Sequence, residues 1–332
     1  MTPRRILITG ANGFIGRHLC RHLTRQGKSI TACIRPSSNI SPLDGLRNLD
    51  LLRISELTPN ASSWPSLGSH LREVDAIVHL AARVHVMHDT STDPLAAFRE
   101  ANVKTTECLA RAAAKSGVRR FIYVSSIKVN GEATANNSYT ADDRPGYVDP
   151  YGQTKWEAEQ KLEEIATATG MEWVVVRPPL VFGPGVRGNF LALLKCLLKG
   201  YPLPLGAIEN RRSVVSVYNL SDMLESTLYH PNASGQRFLV KDEEDISTAE
   251  LVRRLAKALQ RQPRLIPVPQ WLLLASGKLL QKQDVIQRLC SSLVVNTTKT
   301  ADLLHWRPSV PLDWGLGRTC DWFQTATLHG AL

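Results

Sequence analysis

Arg5-Ile6-Leu7-Ile8-Thr9-Gly10-Ala11-Asn12-Gly13-Phe14-Ile15-Gly16 is the stretch that decides the fold. An apolar run passes directly into glycines spaced Gly-x-x-Gly-x-x-Gly and then into a helical pattern reaching Gln26. That order of strand, glycine turn and helix makes a weak glycine pattern into a dinucleotide-binding signal. Gly10 allows the tight turn, Gly13 lets the backbone approach a pyrophosphate, and Gly16 lets the helix pack against the strand with its N-terminus facing the anion. A purely structural glycine turn is the competing reading of these residues alone.

Working outward, further apolar runs at Ser29–Ile34, Leu49–Ile54, Ala76–Leu80, Phe121–Ser125 and Trp173–Arg177 read as buried central strands. Helical patterns at Gly13–Gln26, Leu95–Ser116 and Tyr151–Thr169 alternate with them, the second carrying Leu95, Phe98, Val103, Leu109 and Ala113 on one stripe. The alternation predicts an α/β protein: a Rossmann doubly wound parallel sheet with a smaller, discontinuous C-terminal substrate domain. After Arg177 the rhythm changes to Pro178-Pro179 and Gly183-Pro184-Gly185, then a helix from about Asn189 to Lys199, with a strand-like return at Arg237–Lys241. The expected division is residues 1–177 with 214–241 for the dinucleotide domain, and 178–213 with 242–332 for the substrate domain.

The 332 residues are 43% apolar and 21% charged with 21 Gly and 19 Pro, which excludes collagen-like, disordered and low-complexity classes. Forty Lys and Arg against thirty Asp and Glu leave +10. No Lys/Arg-rich run and no nucleic-acid-binding motif accompanies that charge, so an anionic small molecule is expected rather than nucleic acid. Six cysteines, widely spaced, read as thiols of a reducing compartment, and the short apolar run after Met1-Thr2-Pro3-Arg4-Arg5 is unlike a signal peptide. A cytoplasmic protein is expected. Leu265–Leu280, broken by Pro267, Pro269, Gly277 and Lys278, is too short for the ~20 apolar residues of a spanning helix. It reads as a core or dimer-facing amphipathic helix, or as a surface-seeking one through Trp271-Leu272-Leu273-Leu274.

Tyr151 and Lys155, at i and i+4 on one predicted helix, share a face. An ammonium beside a phenol favours the phenolate, bringing a pKa of about 10 toward the range of a general acid/base. Ser126, from the neighbouring strand end, supplies a hydroxyl able to hold a substrate oxygen. Strand two ends Ala32-Cys33-Ile34-Arg35-Pro36-Ser37-Ser38, with no carboxylate for the ribose hydroxyls of NAD. Arg35 either meets a ribose 2′-phosphate, as in NADP(H), or stacks on adenine.

With His79-Leu80-Ala81-Ala82, Asn102, Ser125-Ser126 and Tyr151-Gly152-Gln153-Thr154-Lys155, the chain resembles the extended short-chain dehydrogenase/reductase superfamily, also called the NAD-dependent epimerase/dehydratase family, over nearly its whole length. The resemblance implies catalysis by Ser126, Tyr151 and Lys155. It implies coenzyme contacts at Gly10, Asn12, Gly13, Phe14, Ile15, Gly16, Arg35, Glu56, Leu57, Leu80, Ala81, Ala82, Asn102, Tyr151, Lys155, Pro178 and Val181. Substrate contacts are implied at Ser126, Lys128, Asn189, Leu205 and Arg212, with a solvated Arg211–Arg212 pair as the alternative for the last. Ser125-Ser126-Ile127-Lys128-Val129-Asn130-Gly131-Glu132 and Asn210-Arg211-Arg212-Ser213 look most like bacterial UDP-2-acetamido-2,6-dideoxy-4-keto-hexose 4-reductases. Lys128 stands where related epimerases carry a small hydroxyl residue, and near Leu289 their usual arginine and aspartate are missing, with Arg288 a nearby candidate.

The expectation is an NADP(H)-dependent 4-ketoreductase acting on a UDP-sugar for surface polysaccharide synthesis. The alternatives are a UDP-hexose or UDP-N-acetylhexosamine 4-epimerase with tightly bound NAD, and a non-catalytic dinucleotide sensor. A homodimer through Leu95–Ser116 and Tyr151–Thr169 is implied as well. His18 with His22 and His85 with His88 lack a third ligand in the sequence, so no metal is expected. If Arg35 binds a 2′-phosphate, Arg35→Ala loses about 1.5–3 kcal/mol, roughly ten- to hundredfold, of NADP affinity and leaves NAD affinity unchanged in a fluorescence titration. Equal weakening of both coenzymes would assign Arg35 to the adenine instead.

Overall fold

Strands apolar on both sides must be covered on both faces, and the computed structural model, which describes residues 5–54, 64–84, 93–279 and 283–330, covers them with helices. The first half runs β1 (Arg5–Thr9), α1 (Phe14–Arg25), β2 (Ser29–Ile34), β3 (Leu49–Arg53), α2 (Trp64–Leu71) and β4 (Ala76–His79). It continues with α3 (Pro94–Phe98), α4 (Thr105–Lys115), β5 (Arg120–Val124), α5 (Pro150–Thr169) and β6 (Glu172–Arg177). Then follow β7 (Leu180–Phe182), α6 (Gly188–Leu198), β8 (Val214–Ser216), α7 (Val217–Tyr229) and β9 (Gln236–Leu239). The chain closes with α8 (Thr248–Ala258), α9 (Gln270–Leu279), α10 (Gln283–Cys290), α11 (Thr298–Leu304) and α12 (Leu312–Leu328).

Seven strands pair in the order β3-β2-β1-β4-β5-β6-β9, all parallel. Alternation along each strand feeds two cores: Ile6 and Ile8 pack toward Leu19 and Leu23 of α1 and Leu220 and Leu224 of α7, while Leu7 packs toward Leu109 of α4 and Leu162 of α5. A third core joins Phe182, Phe190, Leu194, Leu255, Leu316 and Phe323 beyond the carboxyl ends of the strands. Among the described residues no helix is long and apolar enough to cross a membrane.

Strand order reverses between β1 and β4, where a crevice opens at the strands' carboxyl ends. The glycine loop sits in that crevice. Gly10 has φ +65°, and a Cβ there would lie 3.0 Å from the Ala81 nitrogen. At Gly16 a Cβ would come within 2.2 Å of the Gly10 oxygen, so α1 can approach β1 this closely only without a side chain.

The predicted helix Leu95–Ser116 is not one α-helix. Between α3 and α4, Arg99–Lys104 winds as a π-helical turn that buries Asn102. A side-chain network holds the wider turn: Asn102 Oδ1 accepts the Arg83 N–H at 2.8 Å, and its Nδ2 donates to the Arg83 carbonyl and to Thr154 Oγ1, each at 3.2 Å. Strand starts also differ by a residue. β5 begins at Arg120, a charged residue buried by its pairing to Glu172 at 2.5 Å and to the Thr227 carbonyl at 2.6 Å.

The glycine contacts generate a paired stability test by urea denaturation. Gly16→Ala is expected to cost about 1–3 kcal/mol through overpacking, whereas Gly317→Ala in α12, where a Cβ meets nothing within 4 Å, gains about 0.5–1 kcal/mol. Equal effects at the two sites would contradict the close approach of α1.

Candidate active site

Pro150 opens α5 with a φ suited to the first helical position, and Asp149 caps it by accepting the Gly152 N–H at 2.7 Å. The cap places Tyr151 in the first turn with Lys155 one turn on. Lys155 is buried; its Nζ donates to the Val124 carbonyl at 2.9 Å and stands 5.8 Å from the centre of the Tyr151 ring. Ser126, at the end of β5, caps the short turn Ile127–Val129 and hydrogen-bonds Tyr151.

Burial governs both titrating groups here. It pushes the Tyr151 phenol up to about 12, with the Ser126 hydrogen bond pulling it back, and pushes Lys155 down to about 7, with Glu159 opposing. The expected lowering of the phenol by a neighbouring ammonium is not seen. Nζ is aimed at the Val124 carbonyl, and burial weakens its charge.

Beneath this set lies Glu159, fully buried, one turn beyond Lys155. It accepts Ser125 Oγ at 2.5 Å, Arg177 Nε and Nη2 at 2.9 and 2.7 Å, and Arg237 Nε at 3.1 Å. Arg177 also donates to Asn130 Oδ1 at 3.0 Å. Glu159 escaped sequence reading; its signal was a carboxylate four residues after Lys155 with Arg177 and Arg237 at strand positions.

The coenzyme side is built from α1 and the loops after β1, β4 and β6. No side chain caps α1 at Gly13, and no acid stands in its first turn, which leaves its N-terminus suited to an anion. Asn12, Phe14 and Ile15 belong to this loop and turn. Thr9 Oγ1 accepts the Leu80 and Ala81 N–H groups at 3.2 Å each and contacts His79 Nδ1 at 2.6 Å, holding the Leu80-Ala81-Ala82 loop beside the glycines. Burial drives His79 down to about 3, so it is neutral at physiological pH.

Arg17 Nη2 and His18 Nε2 reach the Pro184 carbonyl at 2.9 and 2.8 Å and tie the Gly183–Gly185 loop to α1. Val181 lies in β7, and the Pro178 carbonyl accepts the Ile127 N–H at 3.0 Å. Arg35 is exposed just past β2. Glu56 and Leu57 lie outside the described residues, as do His85 and His88. A glycine cradle that a Cβ would fill, an uncapped helix N-terminus and a conditioned tyrosine and lysine fit a nicotinamide dinucleotide.

Beside Asp149, the cap of α5, a cavity of about 530 Å³ is lined by Glu132, Tyr139, Gly146, Gln287 and Arg288, among others. Lys128 Nζ pairs with Asp149 and, at 2.6 Å, with Glu132. Arg288 Nε is 3.7 Å from Glu132. Arg212 is not one of a solvated pair: its Nη1 donates to the Arg288 and Ser291 carbonyls at 2.7 and 3.0 Å, while exposed Arg211 pairs with Asp245 at 3.1 Å. Burial lowers the Arg212 pKa from its ordinary value. Asn189 is exposed in the first turn of α6, and Leu205 is buried in the third core. Away from the cleft, His22, paired with Glu225 at 2.6 Å, has Asp222 as a third neighbouring potential ligand, a convergence across α1 and α7 that spacing did not reveal.

A parallel sheet with its crevice at the reversal point, and a Ser–Tyr–Lys set beside a glycine cradle, define an enzyme of the extended short-chain dehydrogenase/reductase type. Residues 6–240 match the NAD dependent epimerase/dehydratase family, and the chain belongs to it. It is 41% identical over 327 residues to a UDP-glucose 4-epimerase of Vibrio cholerae, covering 98% of this chain and 97% of that one. It is 25% identical to a ceramide reductase of Caulobacter vibrioides over 97% of this chain and 95% of the relative. Among solved structures, a UDP-glucuronic acid 4-epimerase from Bacillus cereus in complex with NAD superposes with a TM-score of 0.78 at 22% identity, covering 97% and 99% of the two chains.

Lys155 provides a test of the burial argument without any assay of turnover. Its folded pKa of about 7 lies below its ordinary 10.5, so the unfolded chain binds more protons between those values and stability rises with pH across that window. The burial cost is fully felt below pH 7. Any stability advantage of Lys155→Met over the parent should therefore shrink from pH 7 toward pH 9 in urea denaturation, and a pH-independent difference would rule the shift out.

Proposed function

We propose that this protein is a 4-epimerase of UDP-linked hexoses, of the UDP-glucose or UDP-N-acetylglucosamine type, holding NAD. The full-length similarity to the Vibrio enzyme supports this reading together with one structural observation: Ser126 at the end of β5 hydrogen-bonds Tyr151, one turn before the buried Lys155 on α5. When bound, the nicotinamide coenzyme accepts and returns the hydride of the sugar carbon. Gly10, Gly13, Gly16, Leu80–Ala82, Asn102, Pro178 and Val181 surround it in this proposal. Tyr151 Oη, as phenolate, takes the proton of the sugar hydroxyl as that carbon becomes a ketone, and returns it to the same oxygen once hydride has been delivered to the opposite face of the carbon. Ser126 Oγ holds the same oxygen by hydrogen bond. Lys155 and Glu159 fix the tyrosine and the strand end.

Lys128 sits with Glu132 and Asp149 against the sugar, and Arg212, with Arg288, stands at the diphosphate end; Asn189 and Leu205 complete that side. The dinucleotide unit is 1–177 with 214–241, and the substrate unit 178–213 with 242–332. Two copies pair through the α3–α4 and α5 helices, in the cytoplasm.

A second reading is one-way reduction of a UDP-linked 4-keto-6-deoxy-N-acetylhexosamine with NADP(H), on the way to surface polysaccharide. Exposed Arg35 after β2, with no carboxylate in the Ala32–Ser38 sequence around it, favours that reading, and so does Lys128 at the sugar position. The Caulobacter relative shows that reductases occur among such chains.

Coenzyme released by denaturing freshly purified protein separates the two. Stoichiometric NAD, with interconversion of UDP-glucose and its 4-epimer seen by NMR and lost by about 10³-fold or more in Tyr151→Phe, is the expected result. Protein free of coenzyme that oxidises added NADPH only with a 4-keto sugar would replace the epimerase by the reductase.

A further inference from the structure

The charge of the chain is concentrated in one region. Residues 251–301 contain nine Lys and Arg and a single acid, Asp284, a net of +8 out of the +10 of the whole chain. Arg253 and Arg254 of α8 are neutralised by Glu244, Glu250 and Asp313. Lys257, Arg261, Arg264 and Lys278 are exposed and, among the described residues, have no ion pair.

The same region presents unpaired apolar side chains. Trp271 is 70% exposed, Ile266 47%, Leu272 45% and Val285 44%. Helix α9 shows why. Leu273 and Gly277, at i and i+4, face inward, and the missing side chain of Gly277 admits Ile286 of α10, whose Cδ1 would lie 3.0 Å from a Cβ there. Trp271, Ala275 and Lys278, at i, i+4 and i+7, are left on the opposite face. Ile266 extends the patch because its N–H bonds the Leu203 carbonyl at 2.9 Å, next to exposed Tyr201.

We propose that this face, α9 with the 261–266 segment and the start of α10, docks on an anionic phospholipid bilayer. An exposed tryptophan and aliphatic side chains, with Lys278 on the same helix and Arg261 and Arg264 in the segment leading to it, match the interface of such a bilayer, where apolar groups enter the acyl boundary and lysine and arginine remain among the headgroups. A second copy of the chain is a poor occupant, since an isologous contact would set the same positive surface against itself. Nucleic acid would satisfy the cations but leave Trp271, Leu272 and Val285 without a use. α10 serves both surfaces, with Val285 in the patch and Gln287 and Arg288 in the cavity wall, so docking brings the cavity close to the lipid.

The experiment is flotation of the full chain with phosphatidylcholine vesicles, with and without roughly a third phosphatidylglycerol. The parent is expected to float with the anionic vesicles only, and to be released by high salt. Trp271→Ser/Leu272→Ser should lower partitioning roughly tenfold or more, and Arg261→Gln/Arg264→Gln/Lys278→Gln on the order of a hundredfold, with thermal transitions unchanged in both. No flotation of the parent, or flotation that neither variant weakens, overturns the proposal. So does a parent that fails to float while Trp271→Ser/Leu272→Ser converts a dimer to a monomer in light scattering, because the face then belongs to a second copy.

Discussion

A single buried carboxylate carries the geometry of the reacting centre. Glu159 has no solvent exposure, yet it holds Ser125 at the end of β5, Arg177 at the end of β6 and Arg237 on β9. An ionised group in such a place is tolerable only when every oxygen is paired, and removing one partner of a buried pair typically costs about 3–5 kcal/mol. Because α5 delivers Glu159, Lys155 and Tyr151 on successive turns, the clamp that aligns three strands also fixes how far Tyr151 stands from Ser126. The hydroxyls of Ser126 and Tyr151 are thus located by the core of the sheet rather than by the loops that bear them.

Burial then shapes the chemistry. Burial favours the neutral form of both Tyr151 and Lys155, so the phenolate that takes the sugar proton has to be drawn out by the loaded site. A buried phenol costs less when neutral, and the hydrogen bond from Ser126 is the main influence drawing it the other way. The long reach of Arg17 and His18 to Pro184 binds the loop after β7 to the helix that follows the glycines.

The sheet was legible because its strands are apolar and local: Arg5–Thr9 and Ser29–Ile34 were placed to the residue, and the glycine spacing marked the crevice. What escaped was polar and non-local. Arg120 reads as a loop residue until Glu172 and the Thr227 carbonyl are seen to neutralise it, and Glu159 looks like a surface carboxylate until two distant arginines converge on it. The π-helical turn at Arg99–Lys104 keeps a helical pattern of apolar residues and so hides in periodicity. Within it Asn102 bonds Arg83 and Thr154, partners that no window of sequence brings together. Arg212 and Arg211 look alike in sequence; what separates them is the donation of Arg212 to the distant carbonyls of Arg288 and Ser291.

The central claim is that a nucleotide-linked sugar is oxidised reversibly at one carbon by a resident nicotinamide coenzyme, with Ser126, Tyr151 and Lys155 holding the oxygen and moving its proton. Rapid mixing of the coenzyme-loaded protein with UDP-glucose, followed by the near-ultraviolet absorbance of reduced nicotinamide, tests it most directly. The account predicts a transient rise that decays as the 4-epimer forms, and its loss in Ser126→Ala and Tyr151→Phe alike. Epimer formation in those variants at the parent's rate, or a parent that never reduces its coenzyme in the presence of any UDP-hexose, would contradict it.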